Sequence, residues 1–166
     1  MGLLDGIFSG SRTIRLGAPV GGRLVDLSRV SDATFAEKVL GDGVAIVPDE
    51  GTCRAPCDGR IERAFETGHA FTMTTTDGAE LLIHIGFDTV RLGGRGFTVR
   101  AADGAGVERG DPIVEADLRA IAEAGLDTTV VMIVLGGASI ERKKTAGHVG
   151  PGDEVLRLRR ERRAIS

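Results

Sequence analysis

Two stretches of the chain are apolar almost without interruption. Leu81-Leu82-Ile83-His84-Ile85-Gly86-Phe87 admits one histidine, and Thr129-Val130-Val131-Met132-Ile133-Val134-Leu135 is the most apolar run in the sequence. Short runs rich in β-branched residues predict buried strands. Gly86, at the end of the first, permits close approach of another backbone. A second histidine, His69, lies fifteen residues upstream of His84 in Phe65-Glu66-Thr67-Gly68-His69-Ala70-Phe71. Two strands of about six residues joined by a short polar turn would set the two imidazoles side by side. Only Asp117 to Ala124 reads as a helix, with an acidic N-cap, good helix formers and Gly125 as a stop.

Internal repeats say more about architecture than local propensity does. Ala18-Pro19-Val20-Gly21-Gly22-Arg23-Leu24 recurs thirty-seven residues later as Ala55-Pro56-Cys57-Asp58-Gly59-Arg60-Ile61. Each copy precedes a phenylalanine (Phe35, Phe71) and then an Asp-Gly turn (Asp42-Gly43, Asp77-Gly78). Downstream, Val107-x-x-Gly110-Asp111-x-Ile113-Val114 recurs as Val149-x-x-Gly152-Asp153-x-Val155-Leu156. Gly-Asp between apolar runs is turn chemistry, so each repeat is a turn feeding a strand. Two related halves, each too small to bury its own apolar face, predict an all-β fold. We expect an antiparallel β-sandwich or barrel-sandwich with at most one or two short helices.

The ends read differently. Residues 1–12 are expected to form a flexible arm, residues 13–158 the folded body and residues 159–166 a basic tail. Leu3, Leu4, Ile7 and Phe8 would share one side of a short helix, which gives the arm a weak membrane contact as its sharper role. The opening Met-Gly resembles a myristoylation signal, but Gly6 stands where Ser or Thr is required. The apolar opening is short and broken by Asp5, unlike a secretory signal. No run approaches the roughly eighteen apolar residues that span a bilayer, and a cytoplasmic location is expected.

Composition narrows the classes further. Twenty-one basic against twenty-four acidic residues give a formal charge of −3, which does not predict nucleic acid as a partner. Cys53 and Cys57 are four apart, not Cys-x-x-Cys, and no second cysteine pair completes a zinc site. Ordinary reduced thiols are expected.

A lone histidine in an apolar strand is ordinarily a core residue bonded to a carbonyl. A neighbouring histidine changes that reading, and the surrounding residues carry a family resemblance. His84-Ile85-Gly86-Phe87-Asp88-Thr89-Val90, Phe65 to Phe71, Leu92-Gly93-Gly94-Arg95-Gly96-Phe97 and Phe35-Ala36-Glu37-Lys38-Val39-Leu40-Gly41-Asp42-Gly43-Val44-Ala45-Ile46 occur in that family's order. Over about Thr13 to Leu158 the chain resembles the glucose-type enzyme IIA of the bacterial phosphoenolpyruvate-dependent sugar phosphotransferase system.

The resemblance implies a phosphoryl carrier. His84 would take phosphate from the histidine-containing phosphocarrier protein and pass it to a cysteine of a IIB domain. The carbonyl of Gly86 would fix one nitrogen of His84, while His69, oriented by Thr67, assists. Phe35, Val39, Leu40, Phe65, Leu82 and Val90 would form the docking rim, with Gly86 beside them. Asp32 and Asp88 would meet an arginine of the donor. No cofactor is required, although His69 and His84 could hold zinc together with a partner's carboxylate. Phe87, Gly68 and Thr129 depart from the commoner pattern (an aliphatic residue, asparagine and proline), and they bear on partner and sugar rather than on the reacting groups.

Three other classes compete with this one. A zinc peptidase needs a third metal ligand, and His148 is remote in a Gly-rich turn. A biotinyl or lipoyl carrier needs a lysine at a hairpin tip, where Lys38, Lys143 and Lys144 do not fall. A regulatory protein that binds permeases or metabolic enzymes according to its phosphorylation state stays open as the alternative function.

Overall fold

The computed structural model describes residues 11–161. Fourteen strands occur among them: β1 (Ser11–Gly17), β2 (Gly22–Val25), β3 (Gly43–Pro48), β4 (Thr52–Arg54), β5 (Gly59–Ala64), β6 (Ala70–Thr75), β7 (Glu80–Ile85), β8 (Phe97–Val99), β9 (Gly106–Val107), β10 (Pro112–Ala116), β11 (Val130–Gly136), β12 (Ser139–Lys143), β13 (His148–Val149) and β14 (Glu154–Glu161). They form an eight-stranded sheet, β13-β2-β3-β11-β7-β6-β5-β9, and two three-stranded sheets, β1-β14-β12 and β4-β10-β8. Every pairing is antiparallel, so the fold is the expected all-β sandwich.

The sequence repeats are visible as paired hydrogen bonds. Gly17 N donates to Pro56 O at 2.9 Å, and Arg54 N donates to Pro19 O at 2.8 Å. Gly152 N reaches Ala18 O, and Gly110 N reaches Ala55 O, both at 2.9 Å. In each downstream copy the Gly-Asp aspartate closes its own turn. Asp111 accepts from Glu108 N at 2.9 Å, and Asp153 accepts from Gly150 N at 2.8 Å. Gly22 opposes Val149 as Gly59 opposes Val107. The two halves therefore build matching ends of the large sheet.

Its central strands are buried on both faces, which is why they read as continuous apolar runs. Leu81, Ile83 and Ile85 of β7, with Val130, Met132 and Val134 of β11, enter the main core. Leu82, Val131 and Ile133 point the other way, into a smaller cluster with Leu27, Phe35, Ala45, Ala70 and Phe87. Strand parity puts His84 on that second face.

Helical content is small but exceeds the single segment read from sequence. The expected helix is present as Leu118–Glu123, with Asp117 accepting from Ala120 N at 3.1 Å and Gly125 left-handed at φ +79°. Ala33–Ala36, here α1, adds one turn, and 3-10 turns occupy Leu27–Arg29 and Thr89–Leu92. A single turn is too short to show a 3.6-residue period; only its cap, Asp32, is a sequence signal.

The strands also run past the expected boundaries of the body. β1 starts at Ser11 and pairs it with Glu161 at the end of β14. Leu156 and Leu158 are buried while Arg159 is exposed, a strand's period of two, and β14 carries on into the first three residues of the expected basic tail. The expected apolar positions of the arm fall in residues 1–10, outside the described residues. Cys53 and Cys57 are buried free thiols, pushed up to about 12, chiefly by desolvation.

Candidate functional site

His84 is flanked across its strand by Ala70 on β6 and Val131 on β11. With Ala45 and Ala70 in the floor, the second face has room for rings rather than more aliphatic packing. His69 immediately precedes β6, and its carbonyl accepts from Ile85 N at 2.7 Å. That bond closes the hairpin and brings the two imidazoles to 5.2 Å between centroids, at 76°.

Each ring is oriented through its Nδ1. For His84 the partner is Gly86 O at 2.7 Å. A carbonyl can only accept, so Nδ1 carries the proton and Nε2 keeps its lone pair. For His69 the partner is Thr67 Oγ1 at 2.5 Å. When the hydroxyl donates there, Nε2 of His69 bears a hydrogen to offer. Burial, then the neighbouring His84, push His69 down to about 4. Burial also lowers His84, against the opposing pull of the Gly86 carbonyl and the carboxylates of Asp32 and Asp88. Both rings are neutral near pH 7.

Phe35 and Phe87 stand beside this pair. Phe35 is 5.1 Å from the His84 ring and 5.6 Å from Phe87. Phe65 lies 5.4 Å from His69, and the Arg63 guanidinium sits over the Phe65 ring at 4.9 Å from its centroid. Gly68, at φ +70°, has no space for a side chain, since a Cβ would meet Phe97 Cβ at 2.6 Å. The packing of Phe97 accounts for glycine at that position.

The expected rim divides in two. Val39, Leu40 and Val90 are 66%, 44% and 53% exposed, as rim residues must be. Phe35 and Leu82 are instead 6% and 8% exposed, packed into the smaller cluster, so they are floor and not rim. Gly86 is also buried: at φ +72°, a Cβ would meet Thr89 Cγ2 at 2.5 Å and Asp127 O at 2.7 Å. Phe65 is half-buried. Asp88 is exposed and left-handed at φ 59°, while Asp32 is half-buried and caps α1 by accepting from Phe35 N at 3.3 Å. Among the described residues, no cluster of three or more His, Cys, Asp or Glu side chains could hold a metal ion, and no helix is long and apolar enough to cross a membrane.

The chain is similar to known proteins along most of its length. The model of a family described as phosphoenolpyruvate-dependent sugar phosphotransferase system, EIIA 1, matches residues 14–140. The chain is 38% identical over 164 residues to the PTS system glucose-specific EIIA component of Haemophilus influenzae, covering 94% of this chain and 97% of that one. It is 42% identical over 123 residues to the component of the same name in Borreliella burgdorferi, covering 74% of this chain and 65% of the relative. In the glucoside-specific EIICBA component of Staphylococcus carnosus, the match is 41% over 141 residues and spans 20% of that longer protein. The solved glucose permease IIA from Mycoplasma capricolum superposes with a TM-score of 0.80 at 36% identity, covering 88% of this chain and 96% of that one. The chain belongs to the EIIA 1 family of the phosphoenolpyruvate-dependent sugar phosphotransferase system and is a phosphotransferase component, a phosphoryl carrier in sugar uptake.

Proposed function

We propose that His84 is the carrier residue, taking phosphate from a phosphohistidine donor and passing it to a cysteine thiolate. The observation that carries this is the 2.7 Å bond from Nδ1 to Gly86 O, which leaves Nε2 unprotonated beside a second imidazole. The Nε2 lone pair forms a bond to phosphorus as the donor's nitrogen–phosphorus bond breaks. No proton need move. In the return step the thiolate attacks, and the bonding pair goes back to Nε2. Neutral imidazole suits both roles, being a usable nucleophile at neutral pH and a good leaving group.

His69 supports the transferred group. An Nε2–H fixed by Thr67 can donate to a phosphoryl oxygen, and the arriving negative charge raises this ring's affinity for a proton. Asp32 and Asp88 oppose that arrival electrostatically, so the donor must bring compensating cations. The family's histidine-containing phosphocarrier protein as donor and a IIB domain as acceptor fit these requirements, with Val39, Leu40 and Val90 as the apolar contact. Neither step needs a cofactor. Zinc on His69 and His84 would need further ligands from a partner, because it takes four.

The test is to label the chain from a phosphorylated donor and map the phosphate. It should be acid-labile, base-stable and on His84. His84→Ala should abolish labelling while the fold persists; label on another residue, or undiminished label in the variant, overturns the assignment.

A further inference from the structure

One carboxylate outside both histidine strands holds the backbone on which His84 depends. The Gly86 carbonyl that accepts from His84 shares its peptide plane with the Phe87 amide. That amide donates to Asp127 O at 3.1 Å, and the preceding amide, Gly86 N, donates to Thr129 O at 2.8 Å. Both acceptors belong to a turn closed by the Asp127 side chain. Its Oδ1 accepts from Thr129 N at 2.8 Å and from Thr129 Oγ1 at 2.6 Å. Its Oδ2 accepts from Ser31 Oγ at 2.9 Å, next to Asp32 and the turn that sets Phe35 against His84.

We infer that Asp127 is a positioning residue for phosphoryl transfer: it fixes the Gly86–Phe87 peptide and thereby the tautomer of His84. The inference rests on the proposed role of His84. A local Asx-type turn is rigid because its side chain replaces backbone partners. Here the rigid turn presents two carbonyls to the 86–87 segment. If that segment rotates, Nδ1 loses its acceptor, the proton can settle on Nε2, and the attacking lone pair is gone. Burial raises the Asp127 carboxyl, but the bonds from Thr129 and Ser31 outweigh it and hold the group below its ordinary value. It is therefore ionised at neutral pH, with its acceptor oxygens available to all three donor groups.

The imidazole nitrogen shifts of His84, read by NMR in the unphosphorylated protein, test this directly. The wild type should show one tautomer, protonated at Nδ1. Asp127→Ala should show a mixture, and its single-turnover acceptance of phosphate should fall by about 10²-fold, the scale of a small misplacement at a reacting centre. Asp127→Asn keeps an oxygen for Thr129 and should restore the single tautomer and most of the rate. Should Asp127→Ala fail to fold, Thr129→Val removes one donor and should give the same tautomer shift in smaller measure. An unchanged tautomer in every variant that folds overturns the inference, even where the rate falls, because a general loss of stability would do that. Phosphate mapped to a residue other than His84 overturns the carrier assignment instead, without moving the imidazole shifts.

Discussion

The two halves share their turns and strand pairings but diverge after the first strand of each. In the second half the chain leaves β5 through residues 65–69 and returns at once as β6, which lies between β5 and β7. In the first half β2 pairs with β3 in the same way, but residues 26–42 intervene between them as a helical cover on the outer face. That divergence makes the site. The short turn of the second half delivers Thr67 and His69 to His84, and the cover of the first delivers Asp32, Phe35, Val39 and Leu40. Repetition supplies the scaffold, and departure from repetition supplies the chemistry.

Removing what the short turn contributes should have the larger effect. His69→Gln keeps a hydrogen-bond donor but cannot become cationic. On the inward step the donor supplies part of the charge compensation, so acceptance should stay near wild type. On the outward step a thiolate brings more negative charge to the site. Transfer to a IIB cysteine should then fall by about 10²-fold, the usual loss when one charge-stabilising group is removed. Single-turnover rates in both directions separate the outcomes. Equal losses would make His69 a mere support for His84, and no loss would make it a bystander.

Much of this was legible in the residues themselves. The repeats pointed to matched turns, and the spacing of His69 and His84 pointed to neighbours across a hairpin, as the Ala70–His84 register places them. Which apolar side chains are rim and which are floor was not legible. Leu82 sits between Leu81 and Ile83 in an unbroken run, and a strand buried on both faces gives no alternation to show its face. Phe35 was hidden for another reason: a one-turn helix has no readable period. Asp127 carried a turn signal in Asp127-Thr128-Thr129, but the peptide it steadies lies at a strand end far earlier in the chain. Such long-range backbone partners have no local signature.

The cover should show a smaller effect, confined to association. Asp32 lies at its start and Asp88 beyond the end of β7, and both act electrostatically on His84. Asp32→Asn with Asp88→Asn should slow encounter with a basic donor by about tenfold at low ionic strength, and should flatten the dependence of that rate on salt. The transfer rate within the formed complex should change little. A loss that persists unchanged at high salt would show that these side chains position the ring instead of steering the partner. Asparagine can still cap α1, so the variant leaves the cover folded.

Burying His69 beneath the second half's turn has a further, still smaller consequence, visible in acid. Its folded value is about 4, against 6.5 for the unperturbed ring, with burial the main cause. Above 6.5 neither state binds the proton, and the folded protein bears no penalty from this group. Between 6.5 and 4 the unfolded chain takes up a proton that the folded chain refuses. Stability therefore rises with pH across that window and is lost as pH falls through it. His84, lowered in the same direction, adds to the slope. For a chain of this length each 1 kcal/mol lost lowers the melting midpoint by about 2–4 °C. Midpoints measured from pH 7 down to 4.5 should fall more steeply for the wild type than for His69→Gln, which has nothing to protonate there. The difference between the two midpoints should therefore shift against the wild type toward acid, whatever its sign at pH 7. Parallel curves would mean that His69 titrates in the folded protein as it does unfolded, and that the second half's turn does not bury it as described.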